Sequence, residues 1–180
     1  TNIAEDLKRA GKLSPFVWIP HPAGWFPGTY YSEAQKESLW TLGDAFAMEV
    51  VNGACKIAEA YDSFDATAIA LWDRLLCDGR RVTALGGSDA HCPDEFGSVW
   101  TGVYATRRTA PSIIKAMQAG QCFASEAALI ELSCNGSPMG ATVRVRRGAG
   151  LDVECRAVDS MGLASVRVVS QGRVIRERKV

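Results

Sequence analysis

The chain has 180 residues, 47% apolar and 22% charged, enough to bury a core in one domain or one and a half. Twenty Lys and Arg balance twenty Asp and Glu. That balance excludes a broad cationic surface for nucleic acid or an acidic membrane, though not a local cleft for one phosphate group. No apolar run is long enough to cross a bilayer, and no leader-like pattern stands at the start.

Six cysteines, at 55, 77, 92, 122, 134 and 155, include no Cys-x-x-Cys pair. This is neither a zinc ribbon nor a dithiol redox motif, and buried free thiols are expected. Free thiols slightly favour a reducing, cytoplasmic setting, with export left open.

In chain order, Ile3 to Ala10 reads as a helix stopped by Gly11. Phe16-Val17-Trp18-Ile19 is a short apolar strand, ended by Pro20-His21-Pro22. An aromatic loop follows from Ala23 to Tyr31; it fits a pocket lining around Trp25 and a packed loop about equally. Ser32 is placed to cap a helix from Glu33 to Thr41. Phe46 to Val51 reads as a buried strand closed by Asn52-Gly53. Glu49 inside it needs a cation, a metal or a hydrogen-bond network, because an unpaired carboxylate in a core is costly.

Asp65 is expected to cap a helix from Ala66 to Cys77, with Ile69, Trp72, Leu75 and Leu76 inward. Arg80 to Leu85 is a third strand and Trp100 to Ala105 a fourth. Thr109 starts a helix with Pro111 in its first turn and Ile113, Ile114 and Met117 inward. Strand, loop and helix in repetition predict a parallel sheet with covering helices. After about Phe123 the period changes to two, with turns at Asn135-Gly136, Gly148-Ala149-Gly150, Asp159 to Gly162 and Gln171-Gly172. This predicts an antiparallel β module with one buried face. The expected domains are 1–125 and 126–180.

The third strand delivers Gly86-Gly87-Ser88-Asp89-Ala90-His91. Two glycines allow a sharp turn at a strand end. Asp89 and His91 at i and i+2 would aim at one spot if the backbone stays extended. An Asp capping a turn beside a surface His is the plainer alternative. Against it, the only other histidine, His21, also follows a strand. Parallel strands bring their C-terminal ends to one face, so His21, Asp89 and His91 are expected to converge as ligands for Zn, Mn or Fe. Glu49, Asn52, Ser88 and Trp25 are expected as substrate-binding or supporting residues.

Several stretches together resemble the polymerase-and-histidinol-phosphatase (PHP) metallohydrolases: Pro20-His21-Pro22, Met48 to Gly53, Trp72 to Leu76 with Gly79 to Val82, and Gly86 to His91. Thr101 to Ala105, Ile114 to Ser125 and Leu132 to Gly140 resemble the carbaryl-hydrolase-like (CehA/McbA-type) branch. The resemblance implies an α/β chain: the C-terminal part of a distorted (β/α)7 PHP barrel, followed by a small antiparallel β-sandwich-like module. It implies divalent metal held by His21, Asp89 and His91, and hydrolysis of phosphoesters, sometimes of carbamates or amides. The family's opening His-x-His motif is absent. The chain is therefore expected to be the C-terminal half of such an enzyme, weakly active or inactive alone, and prone to self-association through the incomplete barrel. The expected substrate is a small phosphorylated molecule, with no nucleic acid and no membrane partner. The competing readings are a non-catalytic binding or assembly module on a degenerate PHP scaffold, and a PHP-type exonuclease.

Overall fold

The structure, a computed structural model, describes residues 2–24, 31–42, 45–53 and 63–180. Helix α1 (Ile3–Ala10) is capped by Asn2, whose side chain accepts the Ala4 N–H. Strand β1 is Trp18–Ile19 and helix α2 is Glu33–Glu37, with a reciprocal Ser32–Gln35 capping box and a 3-10 turn, Ser38–Thr41, continuing it. Strand β2 (Ala45–Asn52), helix α3 (Ser63–Cys77) and strand β3 (Arg81–Gly87) follow. β1, β2 and β3 form one parallel sheet in that order. The described strands do not close into a barrel.

The core lies between this sheet and the helices. Ile19, Met48, Val50 and Val82 from the strands meet Leu71 and Leu75 of α3, Leu39 and Leu42, and Ile3 and Ala4 of α1. The inward stripe of α3 is Ala68, Leu71 and Leu75, spaced i, i+3 and i+7. Ile69 and Trp72 are partly buried as expected, but Leu76 is 38% exposed. Helix α3 begins before Asp65, so this residue sits in the first turn rather than at the cap. Its buried carboxylate accepts the backbone N–H of Asn52 at 2.9 Å, tying the helix start to the end of β2.

Strand β4 (Trp100–Val103) is not a fourth parallel strand. It pairs antiparallel with β5 (Cys122–Ser125), returning after helix α4 (Ala110–Gln118). Their ends at Trp100 and Ala124 pack on Gly86 of β3, where a Cβ would lie only 2.9–3.1 Å from Val99, Trp100 and Ala124. In α4, Ala116 is the buried residue and Ile113 is exposed.

Beyond it, β6 (Leu129–Cys134) pairs antiparallel with both β7 (Ser137–Pro138) and β8 (Val153–Val158). β9 (Ser165–Ser170) and β10 (Arg173–Lys179) form a separate hairpin. The antiparallel pairing follows the alternation, but the one buried face does not. β10 is exposed along its whole length and β8 at all but Ala157. Alternation makes a face able to be covered; among the described residues no second layer covers it. The thiols also depart from expectation: Cys77, Cys92 and Cys155 are exposed, and Cys55 lies outside the described residues. Burial pushes the Cys122 thiol up to about 11.

Leu75 is fully buried where helix and sheet meet. Leu75→Ala is expected to lower unfolding stability by about 2–5 kcal/mol, read from urea denaturation.

Candidate metal centre

The C-terminal ends of β1, β2 and β3 carry His21, Asn52 and Asp89. What links these three residues is a defect in the sheet. Glu49 pairs with Leu85 and Val51 with Gly86, so Val50 is an extra residue on β2. In a regular strand, residues three apart point to opposite faces. The bulge shortens the effective offset to two, and Glu49 and Asn52 come to one side. Asn52 Nδ2 then donates to Glu49 Oε2 at 3.0 Å and to Asp89 Oδ2 at 3.3 Å. The same Glu49 oxygen accepts the backbone N–H of His21 at 2.8 Å.

The glycines serve this arrangement differently from expectation. Gly86 and Gly87 belong to β3 and do not make a turn. A Cβ on Gly87 would lie 2.6 Å from Glu49 Oε1, so this glycine makes room for the carboxylate. Gly53 donates its N–H to Gly87 O at 2.9 Å, and a Cβ there would lie 2.7 Å from the Ser88 carbonyl oxygen. Ser88 thus takes part through its backbone, packed on Gly53.

The turn itself falls on Asp89, at φ 46°, while His21 has φ 27°. Both are left-handed positions, which Asp and His tolerate better than most residues. His21 also precedes Pro22, and a residue before proline is pushed toward extended backbone. Such strain costs about 1–3 kcal/mol per residue. A hydrogen bond to a carboxylate contributes about 1.5–3 kcal/mol, so the Glu49 bond to the His21 N–H is large enough to offset it.

With Asp89 turned, the extended geometry expected for Asp89 and His91 does not hold. His91 folds back, and its Nδ1 lies 2.7 Å from the Asp89 carbonyl oxygen. A carbonyl can only accept, so Nδ1 carries a proton, and in the neutral ring Nε2 is the nitrogen with the free lone pair. Glu95 accepts the N–H groups of His91 at 2.7 Å and Cys92 at 3.2 Å, and these bonds hold its carboxyl below the usual range. His91 itself is exposed; it reaches the Asp89 backbone but, among the described residues, makes no hydrogen bond to the side chains of Glu49, Asn52 or Asp89.

Glu49 is 8% exposed, and burial raises its pKa above the ordinary 4.5 against the lowering effect of the bonds from Asn52 and His21. Tyr31, half-buried, has its phenol pushed up by burial and then by the Glu49 charge. One buried polar atom in this group has no partner: Nδ1 of His21. Buried polar atoms are nearly always satisfied, so an orphan ring nitrogen on a residue whose backbone is tied to a carboxylate suits a cation. A set of three or more His, Cys, Asp and Glu side chains already arranged around a metal position is absent among the described residues. Trp25 lies outside them. A cavity of about 390 Å³, lined by Tyr104, Gln121, Leu132 and Met139 among others, opens at the opposite end of the sheet and takes no part in this group. The described helices include none long and apolar enough to cross a membrane.

The Glu49–Asn52 pair thus links the His21 backbone to the Asp89 side chain, while the expected convergence of His21, Asp89 and His91 on one metal position is not found as an arranged ligand set among the described residues. Sequence reasoning missed Asp65 and Glu95 as anchors, and the fit between Gly87 and Glu49. Asx and Glu residues two to four positions from a strand-end histidine were the available signal for Glu95.

The Glu49 shift has a sign. A carboxyl whose folded pKa is raised contributes stability fully present below its unfolded value and lost as pH rises through the folded one. In metal-free buffer, wild-type stability is therefore expected to fall relative to Glu49→Gln as pH rises from about 4.5, with the difference levelling off once Glu49 is ionised in the folded state. Paired urea titrations across pH measure this.

Residues 74–122 match the family model described as PHP-associated, a span well under half the chain that includes β3, Asp89 and His91. No curated protein and no solved structure matches. A PHP-associated region, linked through that family to PHP-type hydrolases, is what the comparison supports.

Proposed function

We propose that this protein is a metal-dependent hydrolase of PHP type, a phosphoesterase that acts on a small phosphorylated molecule through a metal-activated water. The observation that carries the reading is the buried, unpartnered Nδ1 of His21, on a residue whose backbone N–H is held by Glu49, which Asn52 joins to the Asp89 carboxylate at the ends of three parallel strands. The PHP-associated match over 74–122 adds support. On this reading β1–β3 with α3 are an arc of the distorted barrel, in the carbaryl-hydrolase-like branch.

His21 Nδ1, an Asp89 oxygen and His91 Nε2 would hold a Zn, Mn or Fe ion. A divalent ion there supplies a bound water deprotonated near neutral pH, the nucleophile for phosphoester hydrolysis. Both imidazoles must be neutral to bind, so protons compete with the metal in acid. The Asp89 carbonyl already selects the His91 tautomer that leaves Nε2 free. Glu95 fixes the backbone that carries this ring.

One observation favours a second reading, a non-catalytic binding module on a degenerate PHP scaffold. The exposed His91 ring bonds to the backbone of Asp89 and not to the side chains that link His21 to Asp89. Metal titration separates the two. Calorimetry with Mn2+ and Zn2+ is expected to give about one ion per chain, with affinity falling in acid. His21→Ala and Asp89→Asn are each expected to weaken binding by at least about 10-fold. Hydrolysis of p-nitrophenyl phosphate by the chain alone is expected to be weak at most, and any rate is expected to follow the metal and stop in EDTA. A chain that binds neither ion overturns the hydrolase reading in favour of the scaffold.

A further inference from the structure

Glu49 and Asn52 do more than fill space beside the candidate ligands. Glu49 Oε2 touches the backbone of the His21 loop, and Asn52 Nδ2 touches the side chain of Asp89. The two are bonded to each other at 3.0 Å, on the single side to which the Val50 bulge brings them. The amide nitrogen has two hydrogens and the geometry gives each its own carboxylate. Asn52 therefore holds Glu49 and Asp89 close despite their like charges. It is anchored in turn through its own N–H on the buried Asp65 carboxylate. The chain thus contains a continuous link from position 21 to position 89 that passes through β2.

We propose that Glu49 and Asn52 are positioning residues: a clamp on the β2 bulge that sets His21 and Asp89 in register for a metal ion. The proposal rests on the metal-binding reading above. It assigns Glu49 to the backbone of His21 and not to the ion. Both loops need such a clamp because each carries its candidate ligand on a left-handed residue that relaxes if released.

The variants separate a clamp from a ligand. Glu49→Gln keeps an acceptor oxygen for both His21 N–H and Asn52 Nδ2, whereas Glu49→Leu keeps none. Asn52→Asp keeps the shape and loses both donors. For a clamp, Mn2+ affinity by calorimetry stays within about threefold of wild type in Glu49→Gln and falls about 10- to 100-fold in Glu49→Leu and Asn52→Asp. A Glu49→Gln loss as large as that of Glu49→Leu makes Glu49 a ligand and overturns the proposal.

A second readout needs no metal. In 1H–15N spectra of the metal-free protein, Asn52→Asp is expected to move the amides of His21, Ala23 and Gly24 together with those of residues 88–91. Shifts confined to residues near 52 overturn the clamp. Should wild type bind no Mn2+, the metal reading falls and these spectra alone decide the clamp. Should Glu49→Leu not fold, Glu49→Gln and Asn52→Asp still carry both measurements.

Discussion

One oxygen atom, Oε2 of Glu49, accepts hydrogen bonds from the backbone of His21 and from the side chain of Asn52. A buried carboxylate is costly without such partners. Here the partners come from two different strand ends, so satisfying the charge also fixes where those ends lie. The core packs around this point: Met48 and Val50, the neighbours of Glu49 on β2, are both buried in the cluster shared with α1 and α3. Burial of the apolar neighbours and pairing of the carboxylate are therefore one constraint on β2.

The glycines show the same constraint from the other strand. Gly86 lets β4 and β5 close on β3, Gly87 leaves space for Glu49, and Gly53 lets the ends of β2 and β3 meet. None of the three is left-handed. They are needed for close approach, while the strained turns fall on His21 and Asp89, the residues with chemistry to offer. A site built in this way is pre-organised by strand pairing, with the strain offset by charge-assisted hydrogen bonds nearby.

The C-terminal strands follow another logic. Leu132 of β6 and Val153 and Cys155 of β8 alternate with polar neighbours, yet all remain exposed. Period-two patterning records which residues share a face. It cannot record whether another layer of the chain arrives to cover that face. The register of β6 on β8 sets opposite charges across from each other, as in Glu131 with Arg156.

The order of helices and strands, the parallel β1–β3 sheet and the candidate ligands at its end were legible in the residues, because they follow from local periodicity and from stops such as Pro20, Pro22 and Gly79. So was the need of Glu49 for partners, which follows from its charge in an apolar run. The bulge at Val50 was not legible: it is a register shift between two strands, set by how both pack, and no single strand's pattern encodes it. The antiparallel return of β4 on β5 was hidden for the same reason, since strand direction depends on where the chain crosses over. Tertiary structure alone decided that Glu49 and Asn52 share a side, that Gly87 makes room for the Glu49 carboxylate, and that Asp89 turns where extended backbone was expected, because each depends on contacts between segments far apart in the chain.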